Sequence, residues 1–89
     1  MTRTLLEHLL DGGPHLSVGV LTADLMRLGD DLAALPPAGI DIVHIDVADG
    51  AFCPLFTVGA PFVKALPATL YKDAHLLIND PLSKIQVIY

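Results

Sequence analysis

Eighty-nine residues leave room for one folding unit and fall far short of the roughly 200 to 250 that close a (β/α)8 barrel. With 53% apolar and 17% charged residues, the chain is too hydrophobic and too weakly charged for disorder, so it requires a core. Five Lys and Arg against ten Asp and Glu give a formal charge of −5, which argues against a nucleic-acid partner, since a phosphate backbone calls for clustered positive charge.

Cys53 is the single cysteine, so an intrachain disulfide and a cysteine-rich zinc site are both excluded, and a reducing, cytoplasmic setting is the simplest expectation. No stretch approaches the roughly 18 uncharged apolar residues of a membrane span, so no membrane partner is expected. Glu7 and His8 interrupt the N-terminal leucines before a signal-peptide core can form.

Leu5, Leu6, Leu9 and Leu10 stand at helical spacing before Gly12, Gly13 and Pro14, which predicts a short amphipathic helix over residues 4–11 that covers something apolar. Residues 1–14 read as a helical extension ahead of strands and helices that fill 15–89. Residues 16–21, LSVGVL, are apolar on both faces and predict a strand buried on both sides. Thr22 is placed to cap a helix over 23–35, with Leu25, Leu28, Leu32 and Leu35 along one side, ended by Pro36, Pro37 and Gly39.

A second strand is predicted over 40–47, where the polar members His44 and Asp46 stand two apart and so share a face. A Gly- and Pro-rich loop runs from Asp49 to Pro61, which opens a short helix to about Leu66. Residues 71–78 predict strand three, and Asp80 and Pro81 read as the cap and first residue of a further helix. The terminal IQVIY, rich in β-branched residues, is expected to break that helix. Strands alternating with helices define an α/β class with a parallel sheet, an incomplete barrel of about three βα units out of eight.

In a parallel α/β fold, ligands bind at the C-terminal ends of the strands. A lone strand histidine is more often packed than functional. Asp46, however, sits inside a run of Ile and Val, where a carboxylate is costly without a cation or donors. His44, Asp46 and His75, converging from neighbouring strands, could supply three ligands to a divalent metal such as zinc. Asp49 and Gly50 read as a turn pair, Thr57-Val58-Gly59 as loop, Cys53 as an inert thiol, and His8 and His15 as surface or capping residues. No phosphate-binding glycine motif or dinucleotide fingerprint is present.

The segments VGVLTADLMRLGDDLAAL, HIDVADGAFCPLFTVGAPFVKAL and DAHLLINDP, in this order and spacing, resemble the first part of the ribulose-phosphate 3-epimerase family, from about Leu16 to Ile85. The matching blocks are the His-x-Asp-Val-x-Asp-Gly strand end, Phe-x-Pro, a Gly-x-Pro helix start and Asp-x-His-Leu. The resemblance implies the N-terminal three βα units of a TIM barrel. It also implies an isomerase that inverts C3 of D-ribulose 5-phosphate to give D-xylulose 5-phosphate, a pentulose 5-phosphate substrate, and a cytoplasmic enzyme.

By the same resemblance His44, Asp46 and His75 are metal ligands, His44 and His75 also border the substrate, and Asp46 is the acid/base residue. The cofactor implied is a divalent metal cation, zinc first, with manganese, iron or cobalt also accepted by this ligand set. Proton removal beside the ketone yields an enediolate, whose charge a metal stabilises.

The family's second aspartate and its phosphate site come from later strands and fall outside these 89 residues. Within the match, Gly19 stands where the family has a substrate-contacting Ser, Ala48 and Leu77 where it has methionines, and Leu55 where it has Asn.

Three readings compete: an N-terminal part of an epimerase that is inactive alone, copies that associate through open sheet edges to complete a site, and a non-catalytic metal-binding or interaction fragment.

Overall fold

A computed structural model of the chain describes residues 3–88. Three strands, β1 (Ser17–Gly19), β2 (Ile42–Ala48) and β3 (Tyr71–Leu77), form a parallel sheet in the order β1-β2-β3. Four helices accompany them: α1 (Leu5–Leu10), α2 (Leu28–Ala33), α3 (Ala60–Ala65) and α4 (Ile85–Ile88). The arrangement is that of the first βα units of a TIM barrel.

The core lies on one face of the sheet. Val43, Ile45 and Val47 of β2 are 0%, 0% and 5% exposed and cluster with Leu28 and Leu32 of α2, Val63 of α3, Leu66, and Ile88 of α4. This is the odd-numbered set of β2. Period-2 geometry therefore sends His44 and Asp46 to the opposite face, away from the helices. The same alternation that builds the core lays out the polar row.

The first strand differs from its prediction. It covers three residues rather than six, and Leu16 is 71% exposed while Val20 is buried. β1 lies at the sheet edge and pairs with β2 alone among the described strands, so the two-sided burial expected of an interior parallel strand is not met.

The second helix is shorter and capped elsewhere. Asp24 Oδ1 accepts from the Met26 amide at 3.1 Å and starts a 3-10 turn over Leu25–Arg27. Arg27, at φ −130°, separates that turn from α2, so Leu25 faces solvent while Leu28 and Leu32 are buried. Thr22 instead points its hydroxyl at the Gly19 carbonyl, 3.5 Å away. Pro36 and Pro37 form a further 3-10 turn that Gly39 closes at φ 84°.

At the other end of the chain Pro81 does open a helical turn, but Asp80 sits at φ 53° and makes no capping bond. Residues 85–88 are helical despite their β-branched side chains, and burial of Ile88 accounts for it: tertiary packing overrides the weak propensity. Tyr89 lies outside the described residues.

Helix α1 is held by a capping box between Thr4 and Glu7, yet none of its leucines is buried. His8 makes the contact instead. Its ring stacks on Tyr71 with centroids 4.5 Å apart, and Nε2 lies 3.1 Å from Asp41 Oδ1. His15 lies 4.6 Å from the His8 ring. His8 thus packs against the N-terminal ends of β2 and β3 and His15 lies against the His8 ring, which corrects their reading as surface or capping residues. A six-residue helix turns only one side to the sheet, and here His8 occupies it.

The loop after β2 is organised by Asp49. Its Oδ1 accepts from the amides of Ala51 and Phe52 at 2.9 Å each, and Oδ2 accepts from the Asn79 amide at 2.9 Å. Gly50 follows at φ 76°, and a Cβ there would collide with the Phe56 ring, so glycine is required. These amide bonds, that from Asn79 first, hold the Asp49 carboxyl below its ordinary range. A depressed carboxylate stabilises the fold above its unfolded pKa and loses that contribution as pH falls through the folded value. Asp49→Asn is accordingly expected to lower the thermal midpoint at neutral pH and to flatten its fall as pH drops below the ordinary carboxylate range. An unchanged acid limb in the mutant, followed by circular dichroism, contradicts this.

Candidate metal centre

Strands β2 and β3 place the site residues through their register. His44 pairs with Gly19 on one side and Asp73 on the other, Asp46 pairs with His75, and Ala48 pairs with Leu77. One face of the sheet therefore carries three successive rows: Gly19, His44 and Asp73; then Asp46 and His75; then Ala48 and Leu77. His44 and Asp46 are the third and fifth of the seven residues of β2, a little deeper in the strand than its C-terminal tip.

The side chains converge. His44 Nε2 lies 3.0 Å from Asp46 Oδ1, and His75 Nδ1 lies 3.1 Å from the same oxygen. The two imidazole rings are 5.8 Å apart at 50°. One ligand atom from each of His44, Asp46 and His75 falls within 4.8 Å of the others. Two ring nitrogens aimed at one carboxylate oxygen form a donor set suited to a divalent cation, and the mixture of imidazole and carboxylate fits zinc and its neighbours. The side chains are 34%, 45% and 56% exposed, so the centre opens to solvent on its free side.

Behind His44 stands Asp73, whose Oδ2 lies 2.9 Å from His44 Nδ1, with the Ser17 hydroxyl directed at the same oxygen from 3.5 Å. This carboxylate, with a smaller contribution from Asp46, raises the His44 pKa above its ordinary value against the opposing effect of burial. Sequence reasoning missed Asp73. The signal was present: Asp-x-His in β3 mirrors His-x-Asp in β2, so Asp73 and His75 share a face just as His44 and Asp46 do.

The remaining candidates sit as follows. Gly19 lies beside His44, and a Cβ there would meet nothing within 4 Å, so the strand leaves open space next to the histidine. Thr57 is more than loop chemistry: its hydroxyl donates to the Asp46 carbonyl at 2.7 Å and accepts from the Ala48 amide at 2.8 Å, which fixes the backbone on either side of Val47. Leu55 is exposed in the loop and Cys53 is half-buried.

A parallel α/β sheet that presents two histidines and an aspartate at a cation-sized spacing, on the face opposite its helices, is an arrangement from which a metal centre can be built. Residues 15–88 match the ribulose-phosphate 3 epimerase family, and the chain belongs to it. Ribulose-phosphate 3-epimerase of Mycobacterium tuberculosis is 43% identical over 72 residues, covering 79% of this chain and 31% of the relative. The same figures hold for the protein of that name from Mycobacterium bovis. The Salmonella typhimurium protein named putative epimerase LsrE is 41% identical over 80 residues, 90% of this chain and 31% of the relative. The chain thus spans about a third of the length of these relatives. No helix among the described residues is long and apolar enough to cross a membrane.

Proposed function

We propose that this chain supplies the first three strands of a metal-assisted sugar-phosphate epimerase centre, in which His44, Asp46 and His75 hold a divalent cation and Asp46 moves the proton. The convergence of His44 Nε2 and His75 Nδ1 on Asp46 Oδ1, at 3.0 and 3.1 Å, carries this reading. The cation, zinc in the first instance, supplies Lewis-acid stabilisation of the negative charge that develops on the substrate oxygens. The substrate is a pentulose 5-phosphate, D-ribulose 5-phosphate interconverting with D-xylulose 5-phosphate, in the cytoplasm.

The division of labour follows from the residues. Asp46 reaches one face of C3 and takes or returns a proton there. His44 and His75 border the same space and fix the carboxylate between them. Inversion needs a second acid on the opposite face, and among the described residues the metal-capable group contains one carboxylate. The 89 residues alone are therefore expected to bind a cation without turning substrate over. Any activity would come from association between copies of the chain, for which β1 and β3, the outer strands of the described sheet, are the places of contact.

The test is epimerisation of D-ribulose 5-phosphate by the purified chain with added Zn2+ or Mn2+, beside Asp46→Asn, with molecular mass recorded. The expected result is bound metal and no turnover by the monomer. Where an assembled form turns over, Asp46→Asn is expected to abolish it, because an amide cannot act as the base. Failure to bind either metal defeats the reading.

A further inference from the structure

We infer that Thr57 is a positioning residue: its hydroxyl stands in for a neighbouring strand along the end of β2 and so holds Asp46 at the site. The inference rests on the metal reading above for its functional meaning. Its structural content stands on the pairing along β2.

Alternate residues of a paired strand turn their backbone groups to opposite neighbours. In β2 the even-numbered residues face β1, since the Val20 amide donates to the His44 carbonyl at 3.2 Å. The odd-numbered residues face β3, as the Tyr71 amide bonded to the Asp41 carbonyl at 2.7 Å shows. Register carries β1 no further along β2 than His44. Beyond Gly19 the chain turns away, and the Val20 carbonyl accepts from the Ala23 amide at 3.3 Å. Asp46 and Ala48 therefore point backbone groups to an edge that no described strand covers.

Thr57 covers it. Its hydroxyl donates to the Asp46 carbonyl at 2.7 Å, and the same oxygen accepts from the Ala48 amide at 2.8 Å. A hydroxyl donates and accepts at once, so one side chain serves both groups. The loop itself has other anchors: the Thr57 amide donates to the Ala48 carbonyl at 3.3 Å, Asp49 pairs with Phe56, and the Asp49 carboxylate collects the Ala51 and Phe52 amides. The hydroxyl is thus surplus to closing the loop, and its two bonds act on β2. They fix the peptide units on both sides of Val47, the first of which begins at Asp46. Asp46 Oδ1 is the atom on which His44 Nε2 and His75 Nδ1 converge, and a ligand of this kind depends on the groups behind it for its aim.

The experiment uses the whole 89-residue chain. Thr57→Val keeps the side-chain shape and the amide bond and removes the hydroxyl, whereas Thr57→Ser keeps the hydroxyl. Without metal, hydrogen exchange of the Ala48 amide and the Asp46 χ1 angle, from three-bond couplings, are read by NMR. Co2+ affinity is then measured for all three proteins. In Thr57→Val the Ala48 amide is expected to exchange about tenfold faster, with the Val43 and Ile45 amides at the parent rate. The Asp46 side chain is expected to pass from one rotamer to an average of several, and Co2+ affinity to fall about tenfold. Thr57→Ser is expected to restore all three.

A parent whose Ala48 amide exchanges as fast as an exposed loop amide overturns the inference, and this measurement needs no variant to fold. An Asp46 rotamer unmoved in Thr57→Val overturns it as well, even with faster exchange, since the hydroxyl would then hold backbone alone. So does a Thr57→Ser variant as impaired as Thr57→Val, because bulk and not the hydroxyl would then place Asp46. A parent that binds no Co2+ defeats the metal reading separately, while exchange and rotamer still decide the role of Thr57.

Discussion

Replacing His44 or His75 with alanine is expected to weaken Zn2+ or Co2+ binding by one to two orders of magnitude in each case, measured by competition with a chromophoric chelator. The argument is geometric. Three ligand atoms within 4.8 Å of one another would hold a cation together, and removing either ring takes away one of the three. The two changes should differ in their effect on the fold. His44 is bonded to Asp46 and Asp73 and is partly buried, so its loss leaves two carboxylates facing each other's charge across the gap, a like-charge arrangement that destabilises. His75 is 56% exposed, and its removal is expected to leave the thermal midpoint almost unchanged. Zinc affinity unaltered in both mutants removes the metal centre; affinity lost in His44→Ala alone would mean that Asp46 and His75 do not act with it as one site.

What the sequence made legible was whatever strand periodicity controls. His44 and Asp46 stand two apart in an apolar run, so their common face and the burial of Val43, Ile45 and Val47 behind them both follow from alternation. The placement of Asp46 opposite His75 required the register between β2 and β3, which local pattern does not specify; the Asp-x-His repeat in β3 suggested it only once the pairing was known. Helix ends were the weak point. Asp24 outcompeted Thr22 as a cap, and Ile88 found a place in the core that drew its β-branched neighbours into a helical turn. Both outcomes depend on which surface lies nearby, information that propensity does not contain. The same holds for His8, whose stacking on Tyr71 joins residues 63 positions apart in the chain.

Ile45→Ala is expected to unfold the protein or bring it to the edge of unfolding. Ile45 is 0% exposed, sits at the centre of β2 between two paired strands, and belongs to the cluster that joins α2, α3 and α4. Truncating a buried Ile to Ala costs about 2 to 5 kcal/mol, through lost transfer energy and the cavity that remains. A chain of 89 residues with open sheet edges belongs at the low end of native stabilities, about 0.05 kcal/mol per residue, or about 4 to 5 kcal/mol in total. The substitution therefore consumes half or more of what holds the fold. Ile45→Val, which removes one methylene, should cost about 0.5 to 1.5 kcal/mol and retain a measurable transition. Met26→Ala, at a position 94% exposed, should stay within about 0.5 kcal/mol of the parent. Urea unfolding followed by far-UV circular dichroism separates the three. Equal midpoints for Ile45→Ala and Met26→Ala would mean that the sheet's helix-covered face is not the core that supports the site, because His44 and Asp46 flank Ile45 on the same strand and keep their positions only while it is packed.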